Sequence, residues 1–135
     1  MFKLTSLILL FCVSTHVFAD DIPEELKEMI KNLHNQCVGE TGVSEAAIAD
    51  ANNGKFNGEE SLKCYMKCLM ASVGIIDDDG VFDGEAFVDL LPNSMKSHGE
   101  KLVKACKPEG SNACDVAYNL NLCNYNLDPS KYTLY

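Results

Sequence analysis

Apolar residues recur every three or four positions along most of this chain, the spacing that places side chains on one face of an α-helix. Pro23 falls in the predicted first turn of the first such run, where its missing N–H costs little. Acidic residues follow it and suit the N-terminal end of the helix dipole. The run has offsets of 0, 4, 7, 8, 11 and 15 and comprises Ile22, Leu26, Met29, Ile30, Leu33 and Cys37.

Capping residues divide the middle of the chain into two further helices. Ser44 is the predicted N-cap of a short helix that ends at residues 52–54, Asn-Asn-Gly. Ser61 is the predicted N-cap of a third helix, which ends at Gly74. The apolar stripe of this third helix comprises Leu62, Tyr65, Met66, Leu69, Met70 and Val73.

The pattern of residues in the second half of the chain predicts three more helices and a tail. Asp83 begins a helix that Pro92 closes, and Ser94 begins another that reaches Cys106. The last helix covers about residues 114–123, and the residues after it are predicted to be extended. No segment shows strand alternation bounded by hairpin turns. The pattern therefore predicts an all-α fold of about six helices.

The first 19 residues have the parts of a signal peptide. Lys3 supplies a positive charge, residues 4–13 are almost entirely apolar, and residues 17–19 end in alanine at the predicted cleavage site. The apolar run is too short to cross a bilayer comfortably, and no second long run follows. We expect residues 1–19 to be removed and residues 20–135 to form one secreted, extracellular domain without stable membrane insertion; an uncleaved anchor is the less favoured alternative.

The net charge narrows the range of partners. The whole sequence has a net charge of −9, and removal of Lys3 leaves 10 lysines against 20 acidic residues, a net charge of −10. The sequence contains no arginine. A chain with this charge is poorly suited to nucleic acid or to anionic membranes, so we expect neither as a partner.

Six cysteines remain after Cys12 leaves with the signal peptide, an even number for an oxidising compartment. The gaps between them are 26, 3, 37, 7 and 8 residues. Cys64 and Cys68 lie one turn apart on one predicted helix, so each is expected to reach a different neighbour. Spacing alone leaves 15 pairings open. Zinc binding is the competing interpretation, but secretion and the few remaining histidines favour disulfides.

The cysteine spacing resembles that of the insect odorant-binding proteins, which include the pheromone-binding proteins. Short segments at residues 62–66, 77–80, 91–95, 108–110 and 128–132 are similar to the mosquito-type branch of this family. The resemblance covers the whole predicted mature chain. It implies three interlocked disulfides: Cys37–Cys68, Cys64–Cys114 and Cys106–Cys123.

The resemblance also implies a function. It predicts a carrier that binds a small hydrophobic odorant, pheromone or lipid-like molecule in an internal apolar cavity and delivers it to an odorant receptor, as a monomer or a weak homodimer. From the apolar pattern alone, the same side chains could simply fill a core. The implied lining residues are Ile30, Leu33, Met66, Leu69, Met70, Val73, Ile75, Phe87, Leu91, Met95, Leu102, Tyr118 and Asn121, with Tyr132, Thr133 and Leu134 covering the pocket.

Four residues raise separate questions about the pocket and its surroundings. Asn121 falls on the apolar face of the last helix, where its amide could orient a polar group of the ligand or bond to backbone or water. Asn124 stands where the mosquito-type proteins usually carry an aromatic residue. Gly99 and Glu100 replace bulky positions late in the fifth helix, which affects the pocket's shape and any dimer contact there.

The resemblance implies that the C-terminus folds back as a lid whose terminal carboxylate is tethered. The matching positions are His34, Tyr65 and Tyr135. We expect acid near the receptor membrane to weaken this tether and let the ligand escape. Charging His34 alone would strengthen its attraction to the carboxylate, so release in acid has to come from protonation of the carboxylate or from rearrangement elsewhere. The alternative is that His34 is an ordinary exposed helix residue.

Rival functions lack the residues that they need. The acidic run at residues 77–79 has the wrong spacing for a calcium loop. We expect no metal and no cofactor.

A small secreted lipid-hydrolysing enzyme would need a nucleophile or a histidine-aspartate pair beside adjacent cysteines, and the sequence shows no such arrangement. A defence or interaction module that acts through its surface is the other alternative.

Overall fold

The computed structural model describes residues 22–135, so the predicted signal peptide lies outside the described residues. This part of the chain forms six α-helices and no β-sheet, which confirms the predicted all-α class. None of the described helices is long and apolar enough to cross a membrane. The helices are α1 (Glu24–Thr41), α2 (Glu45–Asn52), α3 (Glu60–Ser72), α4 (Gly84–Leu90), α5 (Asn93–Ala105) and α6 (Ala113–Leu127), followed by a 3-10 turn (Pro129–Lys131) and an extended tail of residues 132–135.

Two of the predicted N-caps are confirmed. The Ser44 side chain accepts a hydrogen bond from the backbone N–H of Ala47 at 3.1 Å, at the start of α2. The Asp83 side chain accepts one from the N–H of Ala86 at 2.9 Å, at the start of α4. Each cap satisfies a backbone donor that the first turn of a helix leaves unpaired.

The predicted caps Ser61 and Ser94 are wrong. Helix α3 begins one residue before Ser61, with Glu59 at the cap position, and α5 begins directly after Pro92. Proline fixes its own φ near the value found here, −61°, so it can begin a helix without a side-chain cap. Helix α6 is also about one turn longer than predicted, because it ends at Leu127 rather than at Cys123.

Helix α3 forms the centre of the molecule and packs between α1 and α6. Its residues Leu62, Tyr65 and Met66 are completely buried. Apolar residues repeat along α3 at helical spacing, which places these side chains on one face of the helix. The fold is therefore organised around α3, which buries this face.

Three disulfides link the helices, and they join the pairs that the resemblance implies. Cys37–Cys68 connects α1 to α3, and Cys64–Cys114 connects α3 to α6. Cys106–Cys123 connects the residue after α5 to α6. Each closed loop contributes on the order of 3–4 kcal/mol in the chain-entropy model.

Candidate ligand-binding site

The predicted lining residues fall into a buried group and a partly exposed group. Met66, Met70 and Leu102 lie in the core with 0, 8 and 1% of their surface exposed, and Ile75 is 6% exposed. These side chains come from α3, the loop after it and α5. They are the innermost members of the predicted lining set.

The remaining apolar members of the set are only partly covered. Helix α4 contains no buried residue, and Cys37 is the only buried residue of α1. Val73 at the end of α3 is 36% exposed. Apolar surface on these helices is thus left facing solvent. The partly covered members are Ile30, Leu33, Leu69, Phe87, Leu91 and Met95.

Two clefts lie away from the predicted lining set. The first, about 460 Å³, lies beside the Cys37–Cys68 and Cys64–Cys114 disulfides and includes Glu40 and Lys67. The second, about 410 Å³, lies between the loop before α4 and the end of α5. No residue of the predicted lining set borders either cleft.

The tail alternates between buried and exposed side chains, as an extended segment against a surface does. Tyr132 and Leu134 are 7 and 6% exposed, whereas Thr133 is exposed and Tyr135 is 48% exposed. The Tyr132 ring lies 5.9 Å from the ring of Phe56 and 5.6 Å from that of Tyr125, centroid to centroid. Tyr118, the other aromatic residue of α6, lies 5.7 Å from Phe56.

The side chain of Asn52 holds the main chain of the tail. Its Oδ1 accepts a hydrogen bond from the Leu134 N–H, and its Nδ2 donates one to the Leu134 carbonyl, both at 2.7 Å. No pattern in the sequence indicates this contact. The sequence predicts only that Asn52 lies at the end of α2. Asn52 and Leu134 are 82 positions apart in the chain.

A chain of polar contacts ends at the last residue of the protein. The Tyr65 hydroxyl contacts a terminal oxygen of Tyr135 and lies 2.7 Å from Nδ1 of His34. The Nε2 atom of His34 lies 2.8 Å from a carboxylate oxygen of Glu45 on α2. Burial, with a smaller effect from the Glu45 charge, raises the pKa of Tyr65 to about 12, so this phenol keeps its proton at neutral pH. The structure thus brings together the three predicted tether residues and adds Glu45.

The amide of Asn121 bonds within the protein. Its Nδ2 donates to the Ala117 carbonyl at 2.8 Å and contacts the sulfur of Met70 at 3.8 Å. Its Oδ1 accepts from the Tyr132 hydroxyl at 3.1 Å. The amide therefore joins α6 to the tail, and a polar ligand group would have to compete with these partners.

The unusual residues Asn124 and Gly99 both have packing roles. The Asn124 side chain oxygen lies 2.8 Å from Nε2 of His98, a histidine that is only 5% exposed. A Cβ atom at Gly99 would overlap the end of the Leu91 side chain, so the glycine lets α4 approach α5. Glu100 is exposed.

One cluster has the geometry of a metal site without its chemistry. Glu60, Cys64 and Cys114 place possible ligand atoms within 4.8 Å of one another. The two sulfur atoms are joined in a disulfide, so neither is a thiolate.

Comparison with known proteins identifies the family. Residues 19–126 match the model of the PBP/GOBP family. The chain belongs to this family. The resemblance to odorant-binding proteins is thereby confirmed, and similar proteins agree with it: odorant-binding protein 10 of Aedes aegypti is 28% identical over 120 residues, which cover 87% of this chain and 85% of that protein.

Solved structures of odorant-binding proteins share the fold. Apis mellifera odorant binding protein 5 has a TM-score of 0.75 at 21% identity, covering 82% of this chain and 95% of that one. Odorant binding protein 7 from Anopheles gambiae, with four disulfide bridges and in complex with an azo compound, has a TM-score of 0.70 at 26% identity. That match covers 78% of this chain and 88% of the Anopheles chain.

Proposed function

We propose that this protein is a secreted carrier that binds small hydrophobic odorants or pheromones in an internal apolar pocket and delivers them through aqueous lymph to receptors. Membership of the PBP/GOBP family and the fold support a carrier rather than an enzyme. The observation that carries the proposal is the partial exposure of apolar residues on α1, α4 and α5, together with the burial of Met66, Met70 and Leu102. A bound apolar molecule would cover this surface.

The expected ligand is apolar and the expected affinity modest. Hiding about 300 Å² of apolar surface gains about 7 kcal/mol before the costs of binding, which corresponds to a micromolar or weaker dissociation constant. The azo compound bound to the Anopheles protein is consistent with a small organic ligand. Met66, Met70 and Met95 would adapt to guests of different shape, because methionine side chains are flexible.

The tail is proposed to act as a lid, with Tyr132, Thr133 and Leu134 over the pocket and His34 and Tyr65 holding the terminal carboxylate. His34 contacts Glu45 from α2 and Tyr65 from α3, and Tyr65 contacts the terminal carboxylate of the tail. Their three contacts need three protons. With both carboxylates ionised, a neutral histidine and a phenol supply only two.

A charged His34 supplies the missing proton, so mild acid is expected to tighten the lid. Release in acid would therefore require protonation of the terminal carboxylate, which removes the charge that attracts the phenol and the imidazolium. Deletion of residues 132–135 tests this role of the tail. A pH profile of ligand release that is the same with and without the tail would overturn the lid proposal.

Displacement of a fluorescent apolar probe tests the carrier proposal. The wild-type chain should bind the probe one-to-one, and Met95→Asp, which places a charge in the partly covered wall, should weaken binding at least tenfold. Val81→Asp is the matched control, because Val81 is 63% exposed and borders a separate cleft. Absence of one-to-one binding would favour a module that acts through its surface. Turnover of a lipid ester would favour the hydrolase.

A further inference from the structure

The three disulfides differ in how far solvent reaches their sulfur atoms. Cys64 and Cys114 are both partly exposed. Each of the other two disulfides has at least one buried member, because Cys37, Cys68 and Cys106 are all buried. A thiolate cleaves a disulfide by attacking one sulfur while the other leaves, and burial in apolar surroundings disfavours the leaving thiolate. The Cys64–Cys114 disulfide is therefore the one that an external thiol reaches most readily.

The cleft of about 460 Å³ described above gives a small thiol room beside this disulfide. Both Cys64 and Cys114 belong to the lining of this cleft. No residue of the predicted apolar pocket borders it, so an apolar ligand and a thiol would not compete for the same space.

A carboxylate lies against the same disulfide. The Oε1 atom of Glu60 lies 3.4 Å from the Cys64 sulfur, and a carboxylate oxygen of Glu60 lies within 4.8 Å of both sulfurs. A disulfide sulfur carries no proton, so this contact is not a hydrogen bond. The carboxylate therefore acts on the disulfide through its negative charge.

The other charges around the cleft do not cancel this one. The two lysines on this part of α3 have acidic partners, Lys63 with Asp115 at 3.0 Å and Lys67 with Asp78 at 2.9 Å. Glu40 adds a second carboxylate to the lining, and neither glutamate forms an ion pair within residues 22–135. The negative charge attracts a cationic thiol and repels an anionic one.

The two sulfurs differ as leaving groups. Cys114 is the second residue of α6, and the N-terminus of a helix stabilises a thiolate. Cys64 lies inside α3, one turn after Glu60, whose charge disfavours a thiolate at its side. Cys114 is thus the better leaving group, and attack is directed to the sulfur of Cys64.

We propose that Cys64 is a modification site for small cationic thiols. The thiolate attacks Sγ of Cys64 and forms a mixed disulfide with it. The Cys64–Cys114 bond breaks, and its electron pair leaves with Cys114 as a thiolate. The proton that the incoming thiol loses goes to solvent, and no further oxidant or reductant is needed because one S–S bond replaces another. The exchange removes the covalent link between α3 and α6.

Peptide mass mapping of the full mature chain tests the site. The probe is cysteamine, a small thiol with a positively charged amine, and the reaction is quenched in acid before free thiols are labelled with N-ethylmaleimide. The first product should carry cysteamine on Cys64 and the maleimide on Cys114, with the other two disulfides intact. An adduct on Cys114, first cleavage of another disulfide, or no cleavage of the folded chain would overturn the proposal.

A comparison with an anionic thiol of similar size tests the role of the charge. Rate constants for cysteamine and mercaptoethanesulfonate are each divided by those for uncharged hydroxyethyl disulfide, which corrects for the intrinsic reactivity of each thiol. The wild-type chain should then prefer cysteamine by about threefold or more, and added salt should reduce this preference. Glu60→Gln should lower the preference by about twofold or more.

Glu100→Gln is the matched control, because it removes the same charge from an exposed position on α5. It should keep the wild-type preference, and circular dichroism verifies that both variants are folded. Equal preferences in the wild-type chain and Glu60→Gln would overturn the part assigned to Glu60. No apolar ligand is present in these measurements, so their failure would leave the carrier proposal intact.

Discussion

The imidazole of His34 lies 2.8 Å, through its Nε2 atom, from a carboxylate oxygen of Glu45. An ionised carboxylate only accepts hydrogen bonds, so this contact requires a proton on Nε2. The other ring nitrogen faces the Tyr65 hydroxyl, whose single proton is also needed at the end of the tail. Glu45 therefore determines how many protons the whole chain of contacts needs.

Replacement of Glu45 by glutamine should make attachment of the tail independent of pH. The glutamine amide can donate to Nε2, so a neutral His34 then completes every contact. In the wild-type chain, the hydrogen-exchange protection factor of the Leu134 amide should rise as pH falls from 8 to 5.5, because a charged His34 supplies the third proton. In Glu45→Gln it should stay constant.

Glu85→Gln is the control for this change, because it removes the same charge from the exposed face of α4. It should keep the wild-type profile. A wild-type protection factor that falls steadily from pH 8 to 5.5 would contradict the proton count.

Some of the residues that hold the tail are predictable from the sequence and others are not. His34, Tyr65 and Tyr135 were expected together because the family resemblance aligns them, and the structure brings them together. Glu45 and Asn52 were not expected. Both lie on α2, a short helix whose orientation depends on packing against distant segments, and no local pattern encodes that orientation.

The fold was more predictable than the site for a related reason. Helix bounds follow from apolar period and caps, which are local, and Ser44 and Asp83 cap as expected. The degree of burial of a side chain depends on which distant segments pack against it, and the local sequence does not encode this. Val73 belongs to the apolar stripe of α3 yet is 36% exposed, because the end of that helix is not covered by a neighbour in the described chain.

Strong alkali should detach the tail and reduce stability. Burial raises the pKa of Tyr65 to about 12 and raises that of Tyr132 as well. In the unfolded chain both phenols ionise near pH 10. The stability that depends on their neutral form is therefore fully present below pH 10 and is lost as the pH rises through the folded-state values.

Absorbance at 295 nm checks this expectation by following phenolate formation. Of the five tyrosines, two should ionise later than the others, and Tyr132→Phe should remove one late step. The free energy of unfolding in urea should fall between pH 10 and 12 in the wild-type chain and fall less in Tyr132→Phe. Ionisation of all five in one step near pH 10 would contradict the prediction.

Leucine at position 99 should destabilise the protein by separating α4 from α5. Even a Cβ atom there would overlap the end of the Leu91 side chain. We expect Gly99→Leu to lower the free energy of unfolding by about 1–3 kcal/mol, the usual cost of overpacking. Adding Leu91→Ala should restore part of the loss, because it vacates the space. Glu100→Ala, at an exposed neighbouring position, is the control and should change stability by less than about 0.5 kcal/mol.

The substitution Asn124→Leu should destabilise the protein by leaving the imidazole of His98 unpaired. His98 is 5% exposed and its Nε2 lies 2.8 Å from the Asn124 oxygen. A buried polar group that loses its partner costs about 1–3 kcal/mol, whereas replacing both partners with apolar groups can be nearly neutral. Urea unfolding should therefore place His98→Leu, Asn124→Leu closer to the wild type than Asn124→Leu alone. Asn126→Leu, on the exposed side of α6, should have little effect. Additive losses in the double variant would mean that the pair is not coupled.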